Sequence, residues 1–88
     1  MSWVVRVSDD ARRFIDRLPP KARRQISRGL TQMGVDPFQG NVKALQGNEW
    51  KGYYRKRAGD YRIVFFPHRA EHIVDVPWVA LKSEKAYE

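Results

Sequence analysis

Apolar residues recur at helical spacing in the first part of the chain and at alternating, strand-like spacing in the second part. Two stripes with a period near 3.6 residues predict two consecutive helices. The first stripe consists of Ala11, Phe14, Ile15 and Leu18. Ser8 can cap the start of this helix, and Pro19-Pro20 ends it. The second stripe, which stops at Gly34 and Asp36-Pro37, consists of Ala22, Ile26, Leu30 and Met33. These two helices are expected to pair as a hairpin over a sheet.

Strand signals precede and follow the helical part. Residues 3–7 form a short β-prone run, and residues 38–47 read as an ordered connection with Gly and Asn. Three further runs joined by short turns predict an antiparallel meander: Trp50–Arg57, Tyr61–Phe66 and His72–Val79. The order β-α-α-β-β-β predicts a single α+β domain over residues 1–88, with a helical hairpin packed on a small, mainly antiparallel sheet. Residues 83–88 are compatible with a short C-terminal helix or a tail.

Composition narrows the function classes. The 88 residues carry 17 Lys and Arg against 10 Asp and Glu, a net charge of +7, which is typical of proteins that meet nucleic acid or an acidic partner. The chain has no Cys, which excludes disulfides and thiolate metal sites, and its two His are too few for an independent zinc site. We therefore predict neither a metal nor a cofactor. Because the sequence has no signal peptide and no apolar run of membrane length, we expect a cytoplasmic protein without a membrane partner.

The most informative segment is the run Tyr54–Phe66. A Gly59-Asp60 turn joins two β-rich runs, in which Arg55, Arg57 and Arg62 alternate with aromatic and aliphatic residues. Because side chains alternate across a strand, the predicted hairpin has one apolar and one cationic face. Arginine presents a permanently charged planar fork that matches phosphate oxygens. The cationic face is therefore suited to binding phosphate.

This hairpin also carries a family resemblance. The segment from Tyr54 to Phe65, preceded by Lys43-Ala44-Leu45-Gln46-Gly47, resembles the central hairpin of the RelE/ParE superfamily of bacterial type II toxin–antitoxin toxins. The length and the predicted element order agree with that family over nearly the whole chain. The resemblance implies one of two activities: RelE-like members cut messenger RNA in the ribosomal A site, and ParE-like members inhibit DNA gyrase without being nucleases.

For the nuclease, the resemblance implies particular site residues. Arg55 and Arg62 fall where RelE-like enzymes place basic residues that stabilise charge on the phosphate, and Tyr87 falls where they carry a tyrosine near the C-terminus. Tyr87 would need a cationic neighbour such as Lys82 to transfer protons near neutral pH, because the reference pKa of tyrosine is about 10. These catalytic residues are accompanied by four predicted RNA-binding residues: Lys43, Lys51, Tyr53 and Arg57.

Two departures from the nuclease pattern keep the alternatives open. Tyr53 stands where many RelE-like nucleases have a lysine, so this position can stack on a base but brings no charge. The arginine that commonly precedes the C-terminal tyrosine is absent, and Lys82 is an imperfect substitute. The leading interpretation is a ribosome-dependent, metal-independent mRNA endonuclease whose partners are the ribosome, mRNA and a cognate antitoxin. The alternatives are a gyrase inhibitor and a degenerate member that binds only its antitoxin or nucleic acid.

Overall fold

A computed structural model describes residues 2–82 of the chain. The elements follow the order β-α-α-β-β-β-β, with a 3-10 turn at Asn48–Trp50 before the third strand. The helices and strands are β1 Val4–Val7, α1 Asp9–Asp16, α2 Pro20–Val35, β2 Val42–Ala44, β3 Tyr54–Ala58, β4 Tyr61–His68 and β5 Ile73–Leu81. The α+β class and the two predicted helices are confirmed.

The two helices begin where the sequence signals place them. Ser8 caps α1, since its hydroxyl accepts a hydrogen bond from the backbone N–H of Ala11, and Asp9 and Asp10 follow in the first turn, where carboxylates interact favourably with the helix dipole. Pro20 is the first residue of α2, a position where its missing N–H is not needed. Both helices bury their apolar stripe against the same face of the sheet.

The sheet has five strands in the order β1-β5-β4-β3-β2. The first strand pairs with β5 in parallel, whereas the other three pairs are antiparallel. Val64 pairs with Trp78 but Phe66 pairs with Asp75, so two β5 residues, Val76 and Pro77, lie opposite Phe65 in a β-bulge. Bulges bend a strand and redirect its side chains. Pro77 is accommodated there because the ladder is already interrupted.

The main core lies between the helices and the sheet. Fully buried Ile26 and Met33 of α2 meet Ile63 and Phe65 of β4 together with a row of valines from β5. Gly29 lets α2 approach the sheet closely, since a Cβ at this position would lie 3.1 Å from Cδ1 of Ile63. Burial of this apolar surface is the main term that stabilises the domain.

The structure corrects the sequence predictions in the middle of the chain. The predicted strand Trp50–Arg57 begins only at Tyr54, because the 3-10 turn and Gly52, with φ of +87°, occupy the preceding positions. The connection 38–47 is ordered as predicted, but it also contributes β2 along the edge of the sheet. None of the helices formed within residues 2–82 is sufficiently long and apolar to span a membrane.

Candidate functional site

The sheet face opposite the helices, which we call the outer face, carries most of the residues predicted to be functional. Tyr54, Ile63 and Phe65 point into the main core, so the alternating residues of β3 and β4 point to the outer face. Val64 of β4 and Ala80 of β5 are fully buried on this side, in a second and smaller apolar cluster. The predicted cationic face is confirmed, because Arg55, Arg57 and Arg62 share this side of the hairpin, but Val64 adds a buried apolar residue to it and Lys56 lies on the other, apolar side.

Four basic residues form what we call the cationic cluster on the outer face. Arg57 lies directly opposite Arg62 in the β3–β4 ladder, and Arg55, two residues along β3, lies opposite Lys43 of β2. Arg55 and Arg62 are thus diagonal neighbours on one face of adjacent strands. Like charges on neighbouring strands disfavour the isolated sheet, whereas an anion with several negative oxygens relieves that repulsion. This arrangement suits a phosphate group.

The loop before β2 helps to hold Arg55. The Nη1 atom of Arg55 donates a hydrogen bond to the side-chain oxygen of Asn41 at 3.1 Å and lies 3.4 Å from the backbone oxygen of the same residue. The loop is fastened to the sheet by Lys56, whose Nζ donates to the carbonyl oxygen of Gln39 at 2.6 Å. Lys56 is only 3% exposed, and this burial lowers the pKa of its ammonium, although the charge of Asp36 opposes the shift.

An aromatic ridge borders the cationic cluster. The ring of Trp50 contacts the rings of Tyr53 and Trp78 at centroid distances of 5.6 and 5.8 Å. Both tryptophans pack on Val64 and Ala80 in the smaller apolar cluster of the outer face, away from the main core beneath the helices. They lie next to the cationic cluster, where aromatic rings can also contact nucleic-acid bases.

A groove of about 450 Å³ lies on the other side of this ridge, between β1, β5 and the end of β4. We call it the β5 groove; its side chains include Arg6, Ser8, Tyr53, Phe66, His68 and Pro77. At its polar end Arg6 binds both carboxylate oxygens of Asp75, at 2.7 and 3.0 Å. The Nε2 atom of His68 lies 2.7 Å from Oδ2 of the same carboxylate.

The electrostatics of this polar end follow from these contacts. The hydrogen bonds from Arg6 are the largest cause that lowers the pKa of Asp75, and His68 acts in the same direction, while partial burial opposes them. The same pair raises the pKa of Arg6. Across the pH range in which proteins are stable, Asp75 is therefore a carboxylate that holds the side chains of Arg6 and His68 in fixed orientations.

The remaining predicted site residues are placed less centrally. Lys82 directly follows β5, and its backbone N–H donates to the carbonyl oxygen of Asp60 at 2.7 Å, which brings it beside the β3–β4 turn. Lys51 is exposed between the 3-10 turn and β3. Tyr87 and the predicted C-terminal helix or tail at 83–88 lie outside the described residues. Within residues 2–82, no three His, Asp or Glu side chains are grouped to hold a metal ion.

Sequence reasoning did not find the cluster of Arg6, Asp75 and His68. Arg6 and Asp75 are 69 positions apart and meet only because β1 adds to β5 in parallel. No local pattern encodes that pairing. A weak signal existed in the alternation of each strand, since Val5 and Val7 flank Arg6, and Val74 and Val76 flank Asp75, which places both charged residues opposite the core.

Comparison with known proteins gives matches in structure alone. No family model and no curated protein matches the sequence. The RelE–RelB complex from Pyrococcus horikoshii OT3 contains a chain with a TM-score of 0.80 and 18% identity, covering 97% of this chain and 100% of that chain. The RelBE2 complex from Mycobacterium tuberculosis gives a TM-score of 0.80 with 22% identity, covering 92% of this chain and 99% of that chain.

A third solved structure comes from a protein with a different toxin name. The YoeB/ParE toxin from Agrobacterium tumefaciens has a TM-score of 0.74 and 17% identity, and the match covers 89% of this chain and 96% of that chain. All three matches span nearly the full length of this chain and of the matched chain. The resemblance in the β3–β4 hairpin thus extends to the whole architecture, and the chain has the fold of the RelE and YoeB/ParE toxins.

Proposed function

We propose that this protein is the toxin of a type II toxin–antitoxin system and that it cleaves mRNA on the ribosome. The single observation that carries the proposal is the cationic cluster on the outer face, next to an aromatic ridge, in a chain with the RelE fold. Four basic residues at neighbouring positions on one sheet face have no evident value for stability, because their repulsion destabilises the isolated fold. They have an evident value for an anionic substrate.

The proposed reaction is attack of an RNA 2′-hydroxyl on the adjacent phosphorus, with departure of the 5′-oxygen. Arg55 and Arg62 neutralise the charge that grows on the phosphoryl oxygens, and Arg57 and Lys43 bind neighbouring phosphates. Tyr87 and Lys82 transfer protons to and from the reacting oxygens. Tyr53, with Lys51 beside it, contacts a base or its phosphate.

We further propose that a separately encoded antitoxin binds and neutralises the chain. Of the solved structures with this fold, the one from Pyrococcus horikoshii OT3 is a RelE–RelB complex, and the one from Mycobacterium tuberculosis is the toxin–antitoxin complex RelBE2. The net charge of +7 favours an acidic polypeptide that orders on binding and covers a large surface. The test is co-purification of neighbouring small gene products with a tagged copy of the chain, scored by rescue of growth.

Pulse labelling in bacteria distinguishes the proposed activity from its rival. After induction, a ribosome-dependent nuclease stops incorporation of labelled methionine first, and DNA synthesis continues for longer. A gyrase inhibitor reverses this order and induces the DNA-damage response. A chain that only binds its antitoxin or nucleic acid leaves both rates unchanged. The last two outcomes each refute the nuclease.

A further inference from the structure

The β5 groove is not used by the phosphate chemistry proposed above. His68 and Arg62 both lie on β4, six positions apart, and a strand rises about 3.3 Å per residue, so their Cα atoms are roughly 20 Å apart. One phosphodiester cannot contact both residues. The groove nevertheless shares the outer face with the cationic cluster, and Tyr53 belongs to both the aromatic ridge and the wall of the groove. A strand of RNA bound to the cluster can therefore continue into the groove.

The chemistry of the groove fits a planar aromatic group with polar edges. Its apolar wall is built from the ring of Phe66, which contacts the rings of Tyr53 and His68 at centroid distances of 5.1 and 4.9 Å. Pro77 of the β-bulge lines the groove as well. Its volume of about 450 Å³ lies within the range of small-molecule sites, roughly 300–1,000 Å³.

The polar end of the groove is held in place before any ligand arrives. Asp75 uses both carboxylate oxygens to fix Arg6 and His68. The hydroxyl of Ser8 donates a hydrogen bond to the carbonyl oxygen of Pro77 at 3.0 Å. The position of Phe66 is fixed too, because the ring packs on the backbone of Gly52, where a Cβ would lie 2.7 Å from its Cε2 atom. Because these donors and the aromatic ring are already ordered, little conformational entropy is lost when a ligand of matching shape binds.

We propose that the β5 groove is a nucleobase subsite, which takes one base of the RNA strand whose phosphates lie on the cationic cluster. The base packs against Phe66 and Tyr53, and its polar edge hydrogen-bonds with Arg6 and His68. This inference rests on the proposed function as far as RNA is the substrate, and it adds that the chain reads a base at a nucleotide separate from the one that is cut.

The test is binding of a short single-stranded RNA, followed by ¹H–¹⁵N NMR at low salt, because such spectra detect weak association and locate it. The same RNA is prepared with one abasic nucleotide at each position in turn. We expect shifts at groove residues such as Ser8 and Val76 as well as at the cationic cluster. One of the abasic positions removes the groove shifts and leaves the cluster shifts in place.

Two variants and a matched control complete the test. Phe66→Leu keeps an apolar side chain but removes the ring. Arg6→Gln removes the proposed hydrogen bond from the guanidinium to the base, at an exposed position. Each variant is expected to weaken binding of the intact RNA about tenfold, as for loss of one stacked or bonded base. Phe66→Leu leaves binding of the RNA that is abasic at the groove position unchanged, and Arg6→Gln weakens it no more than Arg24→Gln does. Arg24→Gln on the exposed side of α2 removes the same charge as Arg6→Gln and is expected to leave base dependence intact.

The outcomes separate the two proposals. If the intact RNA and every abasic RNA bind equally well and shift only the cationic cluster, the nucleobase subsite is refuted while RNA binding stands. If no RNA shifts any residue of the outer face, RNA binding by the free chain fails, and with it the subsite. If Phe66→Leu perturbs the spectrum of the whole domain, the Arg6→Gln and abasic comparisons decide the matter alone.

Discussion

Replacing Lys56 tests how a buried lysine is tolerated beneath the cationic cluster. Its stem crosses the main core beside Gly29, where a Cβ would lie 3.8 Å from Cε of Lys56, and its Nζ reaches the carbonyl oxygen of Gln39. Lys56→Ala removes three buried methylenes at about 0.8 kcal/mol each and leaves a cavity, so we expect the free energy of unfolding to fall by about 3 kcal/mol.

Lys56→Met is expected to behave differently. Methionine refills most of the volume of the lysine stem, so little cavity remains. The variant loses the hydrogen bond to Gln39, worth about 1.5–3 kcal/mol for a charged donor. It also no longer buries an ammonium group, and this gain is of similar size. We therefore expect Lys56→Met to unfold within about 1 kcal/mol of the wild type. The assay is urea unfolding followed by tryptophan fluorescence, with exposed Lys21→Met as the control for lost charge, expected within about 0.5 kcal/mol.

The pH dependence supplies an independent check. Because burial lowers the pKa of Lys56 in the folded chain, the unfolded chain holds this proton more tightly, and raising the pH towards the ordinary value of 10.5 stabilises the wild type relative to Lys56→Met. The reasoning is refuted if Lys56→Met is destabilised as strongly as Lys56→Ala, or if the difference between wild type and Lys56→Met does not change with alkaline pH.

Three further predictions concern the outer face and the C-terminus. The double variant Arg55→Ala/Arg62→Ala is expected to lose growth arrest on induction with a melting temperature no lower than that of the wild type, because it relieves repulsion within the cationic cluster; full toxicity would remove both residues from the site. Tyr87→Phe deletes one hydroxyl and is expected to slow single-turnover cleavage on programmed ribosomes by about 10²–10⁴-fold, and an unchanged rate would move the proton transfer elsewhere. Asp75→Asn is expected to lower the free energy of unfolding only slightly, since the pair with Arg6 is largely exposed. Because the pKa of Asp75 is lowered in the folded chain, the stability difference between wild type and Asp75→Asn should be constant at neutral pH and shrink below pH 3.8, the ordinary pKa of the carboxyl. A stability difference that grows in acid would contradict this prediction.

Local features of the fold were predictable because local residues determine them. The Ser8 cap, the start of α2 at Pro20 and the turn at Gly59, with φ of +60°, each depend on the chemistry of one or two residues. The start of β3 was predicted too early, because Trp50 and Tyr53 favour strands in general. Their rings instead pack across the outer face, and Gly52, with its positive φ, separates Trp50 from the strand.

The candidate site was predictable only in part, for the same physical reason. The cationic cluster could be anticipated because alternation within one hairpin places Arg55, Arg57 and Arg62 together. The β5 groove could not, because it depends on the parallel addition of β1 and on a bulge that no short pattern specifies. Non-local pairing of this kind is fixed by the whole hydrophobic arrangement.

The most direct test of the central claim is cleavage of mRNA in a purified translation system with ribosomes stalled at a defined codon. The account predicts that the wild-type chain cuts the message within the codon exposed in the A site, that free mRNA stays intact under the same conditions, and that Arg55→Ala/Arg62→Ala cuts neither. An intact message on the ribosome, together with inhibition of DNA supercoiling by purified gyrase, would contradict it.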